Sequence, residues 1–144
     1  MTIKSVIFYN SLLLGTSSFV AANKTRTIMN EYVFLIRFGM GKTLTPEQQT
    51  LNTENWGNLI QRWTEQGVFV GSSLITQPGF VVSGLERNVS QGFVADADFR
   101  MSSVIRVLAA NLDDAVEMAK ACPTLDYDAT VEVREVQTRP VPVN

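Results

Sequence analysis

Tyr32-Val33-Phe34-Leu35-Ile36-Arg37-Phe38 is an almost unbroken apolar, β-prone run, closed by Gly39-Met40-Gly41. A run of this length bounded by glycine reads as a central strand buried on both faces. Alternate residues of a strand face opposite sides, so Val33, Leu35 and Arg37 share one face while Phe34, Ile36 and Phe38 share the other. The same parity divides the run from Ser103 to Ala109, where Val104, Arg106 and Leu108 oppose Ile105 and Val107. Each strand therefore carries one arginine, and both arginines fall on the same side.

Outward from this strand the periodicity changes. Thr45-Pro46-Glu47-Gln48 is a helix start, with a hydroxyl N-cap, a proline in the first turn and a glutamine three residues after the cap. Trp56, Leu59, Ile60 and Trp63 recur at helical spacing, and Gly67 stops the helix. A second strand is expected near Val68 to Val70. After turn signals at Ser72-Ser73 and Pro78-Gly79 comes a third run, Phe80-Val81-Val82. The stretch from Gly84 to Phe99 reads as a hairpin return and loop.

Beyond the Ser103 strand, Asn111 caps a second helix whose first turn holds Asp113 and Asp114, favourable beside the positive end of the helix dipole. Leu112, Ala115, Val116 and Ala119 form its expected buried face, up to Pro123. The last strand, from Ala129 to Val136, alternates Val131 and Val133 with Glu132 and Arg134. The order is that of an α+β, ferredoxin-like βαββαβ domain, with an antiparallel sheet and both helices on one face. If the helices cover the arginine-free face, the other face still presents Val33, Leu35, Val104 and Leu108. A bare apolar patch of this kind marks an association surface, so a homodimer of facing sheets is expected.

Composition prunes the chemistry. The 144 residues are 45% hydrophobic, enough for one domain with a core that needs neither disulfide nor metal. Twelve basic and fourteen acidic residues leave a formal charge of -2, so no basic field exists to attract nucleic acid. The chain has no histidine and one cysteine, which excludes serine-histidine, cysteine-histidine and metal-histidine mechanisms. No metal or other cofactor is expected. Cys122, directly before Pro123, reads as a buried thiol at a helix end rather than a nucleophile.

Residues 29–137 carry the domain pattern, 138–144 read as a loose tail, and 1–28 as a leader. In the leader, Lys4 precedes an interrupted apolar stretch and Val20-Ala21-Ala22, as in a secretory signal cleaved after Ala22. Initiation at Met29 is the competing reading. The first predicts an exported or periplasmic protein and the second a cytoplasmic one. The stretch is too short and interrupted for stable insertion as a transmembrane helix, which needs about 20 mainly apolar residues.

The domain carries Tyr32-Val33-Phe34-Leu35-Ile36, Leu44-Thr45-Pro46-Glu47-Gln48, Trp56-Gly57 and Gln66-Gly67-Val68-Phe69-Val70-Gly71. It continues with Val81-Val82-Ser83-Gly84, the stretch Asn111 to Lys120, Cys122-Pro123 and Val131-Glu132-Val133-Arg134. In the order and spacing of these stretches it resembles the YCII-related (DGPF-motif) family, small α+β proteins that pair into dimeric α+β barrels. Where the family shows Asp-Gly-Pro-Phe, this chain has Gln91-Gly92-Phe93-Val94, so only the glycine is kept. Some members are enzymes thought to move protons with a histidine and an aspartate; here the histidine is absent and the motif aspartate is glutamine. The resemblance therefore implies a non-catalytic, homodimeric small-ligand-binding or structural module.

Arg37 and Arg106, each interrupting an apolar strand, are the candidates to bind a small anionic ligand in the dimer cavity, with Gln91 at the motif position. Ion pairing of the two arginines with acidic residues at the interface is the competing reading. The alternative function is a small lyase or isomerase in which Asp96 or Asp98 is the base and an arginine stabilises an enolate-like charge.

Overall fold

The computed structural model describes residues 5–8, 26–76, 78–94 and 98–137. Its elements are β1 (Ser5–Phe8), β2 (Arg26–Gly39), α1 (Pro46–Glu65), β3 (Phe69–Leu74), β4 (Phe80–Ser83) and β5 (Asn88–Gln91). They continue with β6 (Phe99–Ala109), α2 (Leu112–Ala119), a 3-10 turn (Pro123–Tyr127) and β7 (Ala129–Glu135). The protein is thus α+β, with two helices and antiparallel sheets among the described residues. None of the described helices is long and apolar enough to cross a membrane.

The long apolar strand occupies the middle of the main sheet. β2 pairs with β6 on one side and β7 on the other, and β3 pairs with the far side of β6, all antiparallel. Across the main sheet the order is β7-β2-β6-β3, while β1 pairs with Arg26 to Met29 at the start of β2. β2 therefore begins three residues ahead of the Met29 boundary expected from the sequence. Ala22 and the 138–144 tail lie outside the described residues.

Tyr32, Phe34 and Ile36 of β2 and Ile105, Val107 and Ala109 of β6 are buried, in one cluster with Leu59, Trp63, Ala115, Ala119 and Cys122. Both helices pack on the residues of this parity. α1 is held at its start by the expected capping box: Gln48 donates its backbone N–H to the Thr45 hydroxyl at 3.2 Å, and the Gln48 side chain accepts from Thr45 N at 3.0 Å. At its end Gly67 takes φ +72°, and Val68 N donates to the Trp63 carbonyl at 2.9 Å, turning the chain directly into β3. Trp63 then meets Phe34 edge to face, with ring centroids 6.1 Å apart. Trp56 is half-buried and donates its indole N–H to the Thr124 hydroxyl at 2.7 Å, tying α1 to the 3-10 turn.

Four local expectations change. The second strand runs from Phe69 to Leu74, so Ser72-Ser73 belong to the ladder with β6 rather than to a turn. Phe80-Val81-Val82 does not join the main sheet; a four-residue turn, 84–87, folds it onto Asn88–Gln91 as a separate two-stranded sheet. The buried positions of α2 are Ala115 and Ala119, whereas Leu112 and Val116 are exposed. Small residues at that spacing let the helix approach the sheet closely, which leaves the larger side chains at its flank. The central strand, expected to be buried on both faces, is buried at Tyr32, Phe34 and Ile36 of its even face; Phe38 of that face and Val33, Leu35 and Arg37 of the other are half-buried.

Replacing Trp63 by alanine empties the junction of α1 with β2 and is expected to cost about 3–5 kcal/mol. Urea unfolding followed by far-ultraviolet dichroism measures it, and a loss below about 1 kcal/mol would show that the helix is not anchored there.

Candidate functional site

The helix-free face is assembled by register. Val33 lies opposite Arg106, Leu35 opposite Val104, and on the other side Leu35 lies opposite Glu132. A β-bulge between Ile36 and Arg37 changes the pairing on β6: Ile36 pairs with Ser103, but Arg37 pairs with Met101. Ser102 is the extra residue, and its hydroxyl donates to the Ile36 carbonyl at 3.1 Å. The bulge reverses parity on β6, so Met101 emerges beside Arg37 on the helix-free face.

At this end of the sheet the β4–β5 hairpin and the chain after β3 enclose a cleft of about 620 Å³. Arg37 and Met101 form its floor; Ile75, Phe80, Val81, Phe93 and Val94 form its walls, with Thr76, Gly79 and Gly92 completing the lining. The volume suits a small molecule, and Arg37 is the one charged residue in the lining. Gly92 N donates to the Gly79 carbonyl at 2.9 Å and closes the base of the hairpin. Gly92 has φ +121°, a backbone conformation that side chains resist, while a Cβ there would meet nothing within 4 Å. Conformation, not space, calls for glycine at position 92. Arg100 stacks over the Phe93 ring, 5.4 Å from its centroid, and adds a cation behind that wall.

Arg37 does not stand alone. Its Nη1 donates to Glu132 Oε2 at 2.6 Å, and Arg134 Nε donates to Glu132 Oε1 at 2.8 Å. One carboxylate thus serves two guanidiniums, and the trio holds one positive charge in excess. The Arg134 and Arg37 hydrogen bonds keep the Glu132 carboxyl below the usual carboxylate range.

The other expected site residues fall elsewhere. Arg106 Nε donates to Glu31 Oε1 at 2.6 Å, and Arg106 lies opposite Val33, four residues along β2 from Arg37. At the strand rise that is roughly 13 Å, with each guanidinium turned to its own carboxylate, so the two arginines do not converge on one small anion. Both ion pairs form within the chain. Gln91 is exposed, opposite Phe80 and one residue outside the cleft lining. Asp98 is exposed with φ +66°, and its carbonyl accepts from Met40 N at 2.6 Å. The backbone of Asp98 serves the turn into β6, and its carboxylate is not in the cleft lining. Asp96 lies outside the described residues. Cys122 is buried in the core, where burial pushes its thiol up to about 12.

Glu132 and Arg134 were visible in the sequence only as the polar half of an alternating strand. Their role depends on β7 pairing with β2 in the register that sets Glu132 against Leu35, beside Arg37. No family model matches this chain, and no curated protein does.

Two measurements check the electrostatics. The folded-state Glu132 carboxyl lies lower than in the unfolded chain, so its contribution to stability is in place above the unfolded value, about 4.3, and is lost as pH falls through the folded value. The urea midpoint of the wild type is expected to drop through that range more steeply than that of Glu132→Gln; parallel profiles would remove the trio as a stabilising unit. Cys122 is expected to react with a thiol reagent at neutral pH only after unfolding, and rapid labelling of the folded protein would contradict its burial.

Proposed function

We propose that this protein is a ferredoxin-like, YCII-related module that works as a homodimer and binds a small anion with an apolar body, without catalysing a reaction on it. The single observation that carries the ligand class is the position of Arg37: it is the one charged residue in the lining of the cleft, and it belongs to a cluster with one uncompensated positive charge. A carboxylate or similar anion gains a charge-assisted hydrogen bond there, and an apolar body gains contact with Phe80, Val81, Phe93 and Met101.

The ferredoxin-like reading is supported by the strand order β7-β2-β6-β3, in which the first and third strands of the sheet are central. The family reading is supported by the motif glycine, Gly92, which stands where a hairpin meets the cleft. The dimer is supported by the half-buried Val33, Leu35 and Val104 on the face the helices leave open. A second copy laid on that face would withdraw these side chains from water and roof the cleft. A non-catalytic role is the better reading because the sequence has no histidine and Asp98 is exposed and not in the cleft lining. Arg106 then belongs to the sheet surface, as half of a pair with Glu31.

Calorimetric titration of small apolar carboxylates tests the site. Arg37→Ala is expected to weaken binding at least tenfold with folding retained, while Arg106→Ala keeps it. Equal binding by Arg37→Ala would overturn the assignment. Sedimentation is expected to give a dimer at micromolar concentration, and Leu35→Asp a monomer; a monomeric wild type would sink the paired-sheet reading.

A further inference from the structure

The geometry points to Glu132 as a built-in competitor for the cleft: its carboxylate holds Arg37, and an entering ligand carboxylate takes its place while Arg134 keeps Glu132. This inference rests on the anion-binding reading of the cleft and adds the residue that sets affinity there. Arg37 lines the cleft, whereas Glu132 and Arg134 do not. The two Glu132 oxygens are divided between the two arginines, Oε2 to Arg37 Nη1 at 2.6 Å and Oε1 to Arg134 Nε at 2.8 Å. Release of Oε2 therefore leaves the Oε1 contact intact, and the exchange breaks one contact rather than two.

The charge balance favours the exchange. Before it, two guanidiniums share one carboxylate. After it, Arg37 pairs with the ligand and Arg134 with Glu132, and no charge is left over. Glu132 also holds Nη1, so the end-on fork formed by the two terminal nitrogens of Arg37 is closed to a ligand carboxylate until Oε2 lets go. In the single chain the contact being exchanged is partly open to water, with Arg37 and Glu132 side chains 25% and 34% exposed, so its strength there is modest and the exchange is reversible. Glu132 thus lowers affinity for all anions at the floor of the cleft and leaves selection to the apolar walls. It is a positioning residue: it acts through Arg37, and its removal is expected to strengthen binding, which a purely structural role would not do.

Titration of octanoate, with 1-octanol as its uncharged counterpart, into the wild type, Glu132→Gln, Arg134→Gln and Arg37→Ala tests this. Octanoate affinity is expected to rise about fivefold in Glu132→Gln, where Arg37 is unmasked, on the scale of one partly exposed ion pair. It is expected to fall in Arg134→Gln, where Glu132 has only Arg37 to hold. Octanol binding is expected to stay the same in both variants. If the wild type binds octanoate through Arg37 but Glu132→Gln binds it no better, competition by Glu132 is overturned and the site stands. If neither the wild type nor Glu132→Gln binds octanoate, the anion-site reading fails and this inference with it.

Discussion

The rest of the molecule depends on the alternation of side chains along β2. This strand has neighbours on both edges, so its backbone groups are taken up by β6 and β7, and its side chains can meet only what lies above or below the sheet. The even residues Tyr32, Phe34 and Ile36 are buried under both helices. That commitment fixes the odd residues on the opposite side, because a slip of one position would exchange every core side chain for its neighbour. Arg37 therefore cannot move to the core face without carrying Val33 and Leu35 with it. The only charged residue in the apolar run is held on the helix-free face by the burial of its neighbours.

A bulge then modifies what strict alternation would give. With a regular ladder, β6 would present even residues to the helix-free face along its whole length, and Met101 would point to the helices. The extra residue Ser102 shifts the phase after Ile36, and Met101 joins Arg37 instead. Its hydroxyl bond to the Ile36 carbonyl occupies a backbone acceptor at the point where the ladder is disrupted. The cleft floor is thus a product of one inserted residue in an otherwise periodic strand. The walls come from a different source, the local pairing of β4 with β5, which lifts Phe80 and Val81 away from the main sheet.

This division explains what was legible in the sequence. The parity of β2 and β6, the Thr45 capping box, the Gly67 helix stop and the Asn111 cap are all local patterns, and each corresponds to an observed feature. Arg37 was singled out by the same logic, as a charge interrupting an apolar strand. The partner of Arg37 was not legible, because Glu132 lies 95 residues away and meets it only through the register of β7 on β2. The contribution of Met101 was hidden for a related reason: a bulge leaves no mark on a sequence whose neighbours are Arg100, Ser102 and Ser103. The Phe80 run was read as a sheet strand because its composition is that of a strand; composition says nothing of which partner it takes. Leu112 and Val116 were assigned to the buried face by helical spacing together with Ala115 and Ala119, and only the two alanines are buried.

An arginine in an apolar site with no counter-ion would bear the full cost of desolvation, and one permanently satisfied by a buried carboxylate would have nothing to offer a ligand. Arg106 and Glu31 form a one-to-one pair, with no charge in excess. Arg37 sits between the two extremes, because its carboxylate is shared and partly hydrated. The second claimant, Arg134, is the most exposed member of the cluster in the single chain, 69% against 25% for Arg37 and 34% for Glu132. Sharing one carboxylate between a cleft arginine and a more exposed one thus keeps Arg37 paired while leaving its charge available. The two arginines that the sequence presented as equivalent differ in place and in pairing: Arg106, outside the cleft lining, has a counter-ion to itself, and Arg37, within it, has half of one.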